Sequence, residues 1–357
     1  MKKTAALFAL ALILPVSSFS IEVERYDPSR HAPNPHAVPG QSAPKVNQRY
    51  KPPVKVQQVR PFDLQSPILE NYINWGYTKV NAKAAHDKGL DGRGVNIMVV
   101  DSGIVSHPEF NGQKIERIDM GFGAVDTYRH GTGLAGIIIA KGENMTGIAP
   151  GATLYSAKVD QGSGIISPLH AARAVNWAVE KRKTGEHRID VINLSYGATG
   201  YDDDLAKAIK AAYAAGIVVV APSGNDGMHA VKFPANMPEV FGVYATTPLD
   251  GPYTQASYGA QVDFAAPGAS VFTTGLENNY MYSNGTSVAA PYISALAALA
   301  IQGYYHRNGV RPTPEQTKQI LAASASLVSG VNKGKQGAGM VNAGTLASYF
   351  VADGDRI

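Results

Sequence analysis

The chain has 357 residues, of which 45% are hydrophobic and 17% charged. That composition allows a sizeable buried core and excludes a disordered or fibrous protein. The formal net charge of +4 is concentrated near the N-terminus, so no basic face for nucleic acid is expected. Because the chain has no cysteine, it forms no disulfide, and its stability must come from packing.

Residues 1–20 have the pattern of a secretory signal peptide. Lys2 and Lys3 precede an apolar run from Ala5 to Val16, and small residues follow up to Ser20. A membrane anchor is the alternative, but the run is short for a bilayer span. We therefore predict cleavage near Ile21, export to the periplasm or the medium, and no membrane span afterwards.

Residues 21–66 form a proline-rich segment without helical or strand periodicity. Seven basic residues stand against four acidic ones between positions 21 and 63, a balance of +3. Such a segment is typical of an extended linker. The alternative is a basic tail that contacts an anionic surface or partner.

Residues 67–350 alternate between apolar runs and helical patterns, and residues 351–357 are predicted as a short tail. Strands are predicted at 95–100, 154–159, 191–194, 217–221 and 240–244, and helices at 168–183, 205–215 and 287–304. This alternation predicts an α/β three-layer sandwich, with a mainly parallel central sheet flanked by helices. Active-site residues then belong at the carboxyl ends of strands.

Asp101 and His130 are the first candidate pair for chemistry. Asp101 directly follows the first predicted strand, where its carboxylate can orient an imidazole; taken alone, it fits a turn equally well. Asp190 and Asp263 are rivals, but Asp190 precedes its strand and belongs at the opposite edge. His130 precedes small residues that suit a helix start, although a lone histidine is usually structural.

Ser287 and Asn225 complete the candidate set. Ser287 follows a glycine turn at the start of a helix, where backbone N–H groups face a developing negative charge; a helix N-cap is the alternative. Asn225 follows a strand, and its amide can donate to an oxyanion; a turn asparagine is the alternative. The chain order Asp, His, Ser is the one found in subtilisin.

Four stretches closely resemble the signature motifs of the subtilases, a family of serine peptidases, and the similarity spans roughly residues 70–347. They are Val99-Val100-Asp101-Ser102-Gly103-Ile104, His130-Gly131-Thr132, Ser223-Gly224-Asn225-Asp226-Gly227 and Gly285-Thr286-Ser287-Val288-Ala289-Ala290-Pro291. The resemblance implies a subtilisin-like fold and a serine endopeptidase.

The resemblance also implies roles for these residues. Ser287 would be the nucleophile, His130 the general base and acid, and Asp101 the group that orients the imidazole. Asn225 would donate to the oxyanion together with the Ser287 backbone N–H. The segments containing Gly162 and Gly164, and Ser195 and Gly197, would flank an extended peptide, and Gly224 would line the pocket for the residue before the cut.

Two departures from the family pattern stand out. Gly133 occupies the place of a second histidine, so we expect lost packing beneath His130 and lower catalytic efficiency. The loop Lys141–Thr146 is shorter than the strong calcium-binding loop of well-known subtilisins. We therefore assign no metal ligand and expect no cofactor in catalysis, while a structural calcium ion elsewhere stays open.

The sequence thus predicts a monomeric peptidase whose partners are peptide or protein substrates in extended conformation. One alternative is a protease-like binding protein that has lost turnover. Another is a peptide ligase or cyclase, which would use the same acyl-enzyme.

Overall fold

The structure of the chain, a computed structural model, describes residues 74–352 and 354–357. The predicted signal peptide, the proline-rich segment and the expected domain start at residue 67 lie outside the described residues. Val351 and Ile357, at the two ends of the segment predicted as a tail, both contact the domain. Val351 is buried, and the N–H of Ile357 donates to the carbonyl of Lys88 at 3.0 Å.

In the part of the chain that the structure describes, the β structure consists of a nine-stranded sheet and a separate two-stranded hairpin. The sheet strands are β1 Asn96–Asp101, β2 Ile115–Asp119, β3 Thr153–Lys158, β4 Val191–Asn193, β5 Val218–Pro222, β6 Val240–Thr246, β7 Val262–Pro267, β10 Ala325–Ser326 and β11 Met340–Val341. The hairpin is formed by β8 Val271–Thr274 and β9 Tyr280–Ser283. The sheet order is β10-β11-β7-β6-β5-β4-β1-β3-β2, and only the pair β10–β11 is antiparallel.

Helices cover both faces of this sheet, which gives the predicted three-layer α/β sandwich. They are α1 Trp75–Lys79, α2 Ala82–Asp87, α3 His130–Ile139, α4 Pro168–Thr184, α5 Asp203–Ala214, α6 Thr286–Asn308, α7 Pro314–Ala323 and α8 Ala343–Ser348, with 3₁₀ turns at Pro108–Phe110 and Lys333–Lys335. Strands β4, β5 and β6 are wholly buried, as expected for parallel strands that are covered on both faces.

Local sequence sets where these helices begin and end. Helix α4 starts on Pro168 and ends before Gly185, whose φ of 75° suits glycine. Helix α5 begins at Asp203, two residues before the predicted start. The Asp202 side chain accepts from the N–H of Leu205 and caps the first turn.

Helix α6 is the central helix of the core. Every residue from Thr286 to Gly303 is buried, and the helix packs on strands β4 to β7. Among the described residues it alone is long and apolar enough to cross a membrane, but its apolar stretch is entirely enclosed by the protein. Its position is that of a core helix, and it brings its N-terminus to the carboxyl ends of the strands.

Candidate active site

Asp101 lies at the carboxyl end of β1, where the buried apolar strand ends. Its carboxylate is fully buried, and it accepts from the N–H of Ser102 at 2.7 Å. The two carboxylate oxygens lie 2.9 and 3.0 Å from Nδ1 of His130. Because an ionised carboxylate can only accept, this contact makes Nδ1 the protonated nitrogen and leaves Nε2 as a base.

His130 is the first residue of α3, and a buried carboxylate holds this helix start in place. Asp126 accepts from the backbone N–H groups of Tyr128, Arg129 and Thr132 at 2.8 to 2.9 Å. It also accepts from the Ser102 hydroxyl at 2.9 Å, which ties the loop after β1 to the helix. Asp126 thus satisfies donors that the helix start leaves unpaired, and its negative charge suits the helix dipole.

The pKa of His130 is raised above its ordinary value of 6.5. Burial alone would lower it, but the charge and hydrogen bond of Asp101, with the charges of Asp126 and Asp160, outweigh burial. The site therefore stabilises the imidazolium that forms when a hydroxyl gives up its proton.

Ser287 is the second residue of α6, and its Oγ lies 3.2 Å from Nε2 of His130. The N-cap is Gly285, with a φ of 137° that suits glycine. The alternative interpretation of Ser287 as a helix N-cap is therefore wrong. Asp101, His130 and Ser287 form one continuous hydrogen-bonded array at the carboxyl edge of the sheet.

Pro291 explains an unusual contact of the Ser287 backbone. In a regular helix the N–H of residue 291 donates to the carbonyl of residue 287, but proline has no N–H. The hydroxyl of Ser195 donates to this carbonyl instead, at 2.8 Å. Asn193 donates in turn to Ser195 at 2.7 Å and accepts from Ser294 of α6 at 2.9 Å. A buried polar network thus joins the end of β4 to the helix that carries the nucleophile.

Asn225 contacts the same helix start. Its Oδ1 accepts from both the N–H and the hydroxyl of Thr286, each at 2.9 Å. With the oxygen used as an acceptor, Nδ2 is the donor end of this side chain. The asparagine is therefore fixed beside the residue that precedes Ser287, and is more than a turn residue.

The predicted substrate-binding residues occupy two places. Ser195 and Gly224 contact the start of α6, where the N–H of Gly224 donates to the Thr286 hydroxyl at 3.2 Å, while Gly197 lies beside the side chain of Lys232. Gly162 and Gly164 belong to a separate loop, which the buried carboxylate of Asp160 organises by accepting from the N–H groups of residues 162–164 at 2.9 to 3.2 Å. A Cβ on Gly164 would overlap the ring of Tyr128, so this loop lies against the segment before His130.

Gly133 does not leave the predicted gap in packing. A Cβ at this position would lie 2.5 Å from Cε of Met281 and 3.3 Å from Cγ2 of Thr273. The β8–β9 hairpin therefore fills the space, and the hydroxyl of Thr273 donates to the Gly133 carbonyl at 2.5 Å. The expectation of lost packing is wrong for this physical reason, while the effect on catalytic efficiency stays a prediction.

Within residues 74–352 and 354–357, no three His, Asp or Glu side chains are grouped as ligands for a metal ion. Near the loop Lys141–Thr146, Glu109 accepts from the backbone N–H groups of Asn144 and Met145 at 3.0 and 3.3 Å. This buried carboxylate is thus satisfied by the protein itself. The assignment of no metal ligand stays a prediction.

Sequence reasoning missed Asp126, Ser102 and Asn193. Asp126 carries a weak local signal, because it precedes the predicted helix start by four residues, close to where capping carboxylates stand. Ser102 and Asn193 have partners far along the chain, so no short pattern marks them.

A hydroxyl, an imidazole and a buried carboxylate in this arrangement, at the carboxyl edge of a parallel sheet, define a serine hydrolase. The model of the Subtilase family matches residues 92–340. The chain belongs to the subtilase family, and it is a subtilisin-like serine endopeptidase.

Curated relatives agree with this assignment. "Subtilisin Savinase" of Lederbergia lenta is 34% identical, over 76% of this chain and 97% of the relative. "Alkaline protease" of Shouchella clausii is 34% identical, over 79% of this chain and 71% of the relative. "Minor extracellular protease Epr" of Bacillus subtilis is 34% identical, over 71% of this chain and 39% of the relative.

Proposed function

We propose that Ser287, His130 and Asp101 hydrolyse peptide bonds through an acyl-enzyme. The hydrogen-bonded array from Ser287 Oγ to His130 Nε2, and from His130 Nδ1 to Asp101, carries this proposal. Ser287 Oγ attacks the peptide carbonyl while Nε2 takes its proton, and the imidazolium then protonates the leaving amine. Water attacks the ester in the second half, again with His130 as base.

The negative charge that develops on the carbonyl oxygen needs donors. The N–H of Ser287 belongs to the first turn of α6, where backbone donors have no partner within the helix. Asn225, fixed by Thr286, supplies the second donor from Nδ2. These two groups would form the oxyanion hole.

The substrate lies extended between the segment 162–164 and the segment 195–197. Backbone groups of these segments would pair with it as added strands, so that recognition depends mainly on main-chain hydrogen bonds. We also infer export through the signal peptide of residues 1–20, in keeping with the extracellular protease named among the relatives. The intact array gives no support to a binding protein without turnover.

A fluorophosphonate probe tests the nucleophile. The protein should be labelled, Ser287→Ala should not, and Ser326→Ala, which removes an exposed hydroxyl of β10, should be labelled like the parent. Peptide cleavage should follow labelling. Labelling that persists in Ser287→Ala, or a folded parent protein that is never labelled, would refute the proposal.

Asn225→Asp tests the oxyanion donor, because it keeps the acceptor for Thr286 and removes the amide N–H groups. The loss of kcat should be about 10²–10³, the magnitude measured for such a donor in subtilisin itself, with KM little changed. The thermal midpoint should stay close to that of the parent. An unchanged kcat would exclude Asn225 from the oxyanion hole.

A further inference from the structure

The two segments beside the nucleophile form the sides of a cleft. Strands β4 and β5 are parallel neighbours, so residues 195–197 and 222–224 leave the sheet side by side. Ser195 donates to the carbonyl of Ser287, and Gly224 donates to the hydroxyl of Thr286. The space between the segments therefore opens directly beside Ser287.

A third segment closes the floor of this cleft. The N–H of Lys232 donates to the carbonyl of Ser223 at 2.9 Å, which fixes it to one side. Phe233 forms an antiparallel bridge with Ala198 on the other side, with N–H to oxygen distances of 2.7 and 3.1 Å. Lys232 is therefore the residue whose backbone spans from one side of the cleft to the other.

The side chain of Lys232 fills the cleft that its backbone closes. A Cβ placed on Gly224 would lie 2.4 Å from Cγ of Lys232, and one placed on Gly197 would lie 3.1 Å from its Cβ. The aliphatic stem thus occupies the room that these two glycines leave between them. Only 16% of the side chain is exposed to solvent.

The charge of Lys232 is already partnered. Its Nζ forms an ion pair with Asp226 and lies 3.2 Å from the hydroxyl of Thr199. The charge of Asp226 is therefore balanced by the chain's own lysine rather than left to attract a basic substrate residue. An acidic substrate residue, in turn, would have to compete with a carboxylate of the same chain, which has a high effective concentration beside Nζ.

We propose that Lys232 sets the specificity of the peptidase for small uncharged residues, such as glycine, alanine and serine, immediately before the scissile bond. The inference rests on the proposed function, since it assigns this cleft to the substrate residue that carries the reacting carbonyl. A substrate side chain larger than a methyl or hydroxymethyl group would collide with the aliphatic stem of Lys232. A charged substrate side chain would find no unpaired opposite charge, because Lys232 and Asp226 already neutralise each other.

The expected difference in kcat/KM between substrates can be estimated from the effect of a single methylene group. A single methylene in an apolar pocket changes kcat/KM by about 10- to 200-fold between substrates. A phenylalanine side chain exceeds that of alanine by a whole ring. We therefore expect a ratio of alanine to phenylalanine of at least about 10-fold in the parent protein.

Four fluorogenic peptide amides of otherwise identical sequence, with Ala, Phe, Glu or Lys before the cleaved bond, test the proposal. The parent should cleave the Ala peptide fastest. Lys232→Ala, which keeps Cβ and removes the rest of the stem, should raise kcat/KM for the Phe peptide by about 10-fold or more and change the Ala peptide little.

Lys232→Met separates volume from charge, since it keeps a long stem without the ammonium group. This variant should still reject the Phe peptide. Lys207→Ala, at an exposed position of α5, is the matched control and should keep the parent profile on all four peptides. If Lys232→Ala does not fold, the parent profile and Lys232→Met still decide the question.

Three results would overturn the proposal. They are a parent that cleaves the Phe peptide as well as the Ala peptide, a Phe-to-Ala ratio unchanged in folded Lys232→Ala, and a preference for the Glu peptide that Lys232→Met abolishes. The last result would instead make the lysine a receptor for acidic residues. Fluorophosphonate labelling of every variant separates this failure from that of the proposed function, because a labelled enzyme with an unchanged profile refutes only the role of Lys232.

Discussion

His130 is surrounded by negative charge, and its titration follows from that arrangement. Asp101 is in direct contact with the ring, while Asp126 acts through the helix start that it caps. Burial opposes protonation, but the three nearby carboxylates outweigh it and raise the pKa of His130. Because His130 must be neutral to accept the Ser287 proton, activity should be lost as the pH falls through this raised pKa.

Asp101→Asn tests both the orientation of the ring and its charge. Removing one carboxylate charge lowers the pKa of His130, so the acid limb of kcat/KM should move to lower pH. The plateau should fall by about 10⁴, the loss known for the same change in a serine protease of another fold. The measurement is a pH–rate profile with one peptide substrate.

Asp204→Asn is the control, because the Asp204 side chain lies on α5 and is 70% exposed. This variant should have the same pH–rate profile as the parent. An acid limb at the same pH in Asp101→Asn and in the parent would show that another group controls activity in that range.

The sequence predicts Asp101, His130 and Ser287 as partners, and the structure brings the three side chains together, but the sequence does not predict the local structure around each of them. Ser287 at the start of a helix fits both a nucleophile and an N-cap, and only the φ of Gly285 and the distance to His130 decide between them. The pairing of Asp226 with Lys232 has no signal in the sequence, because neither residue lies in a regular element. Such ion pairs depend on which loops lie next to each other in the folded chain. The spacing of apolar residues in the sequence does not indicate this.

At the scale of elements, the start of α6 depends on a donor from another strand. Pro291 removes the helical donor for the Ser287 carbonyl, and the hydroxyl of Ser195 replaces it. The network through Asn193 and Ser294 then returns to the same helix. The hydrogen bond from the Ser195 hydroxyl, which replaces the missing N–H of Pro291, therefore holds the start of α6 and the segment 195–197 together.

Ser195→Ala and Pro291→Ala form a double-mutant cycle for this exchange. Ser195→Ala leaves a buried carbonyl without its donor and should lower the free energy of unfolding by about 1–3 kcal/mol. In the Pro291→Ala background the loss should be smaller, because the substitution restores a backbone N–H that donates to the same carbonyl. Urea unfolding of the four proteins measures the coupling energy.

If Ser195→Ala lowered the free energy of unfolding by the same amount in the parent and in Pro291→Ala, this account would be contradicted. The two sites would then contribute independently, and the proline at position 291 would have no bearing on the contact between Ser195 and the helix.

The predicted elements agree with the structure where a continuous apolar run marks a strand, but complete burial alone is not enough, since every residue of β8 is buried and no strand was predicted there. Strands β1, β3, β4, β5 and β6 lie within two residues of their predicted positions, because continuous apolar runs mark them. The other strands of the structure were missed: β2 alternates weakly, the residues of β9 are mostly half-buried, and β10 and β11 have only two residues each. Strand β7 was missed although five of its six residues are buried. Helix α7 was missed although Thr313 and Gln316 form a capping box at its start.

At the scale of the whole molecule, the two edges of the sheet differ in function: the amino edge carries a group of ion pairs, and the carboxyl edge carries the candidate active site. Asp190 is buried at the amino edge, as its place before β4 predicts, and Asp101 is at the carboxyl edge, about 16 Å away along β1. Asp190 accepts from Arg188 at 3.0 Å and Arg182 at 3.3 Å, and Arg311 lies 3.8 Å away. One carboxylate thus faces three guanidinium groups, far from the reacting groups.

Asp190→Asn should therefore affect stability without affecting catalysis. It leaves the guanidinium groups of Arg182 and Arg311, each 16–17% exposed, without their counter-charge, and should cost about 2–4 kcal/mol. Thermal unfolding should show the loss, while kcat/KM at a temperature where the variant is folded stays at the parent value. A fall in kcat/KM without a loss of stability would contradict this division between the edges.

The array that joins Asp101, His130 and Ser287 also sets when the chain becomes a peptidase. The first two residues are 29 positions apart, but Ser287 follows His130 by 157 positions. At the usual speed of synthesis, roughly 10–30 s pass between the arrival of the imidazole and that of the hydroxyl. On the proposed mechanism, the nascent chain has no nucleophile beside its base during that interval and cannot cut itself or its neighbours. Any chain interrupted before Ser287 stays inert, so proteolysis starts only with molecules whose central helix has been made and has joined the sheet.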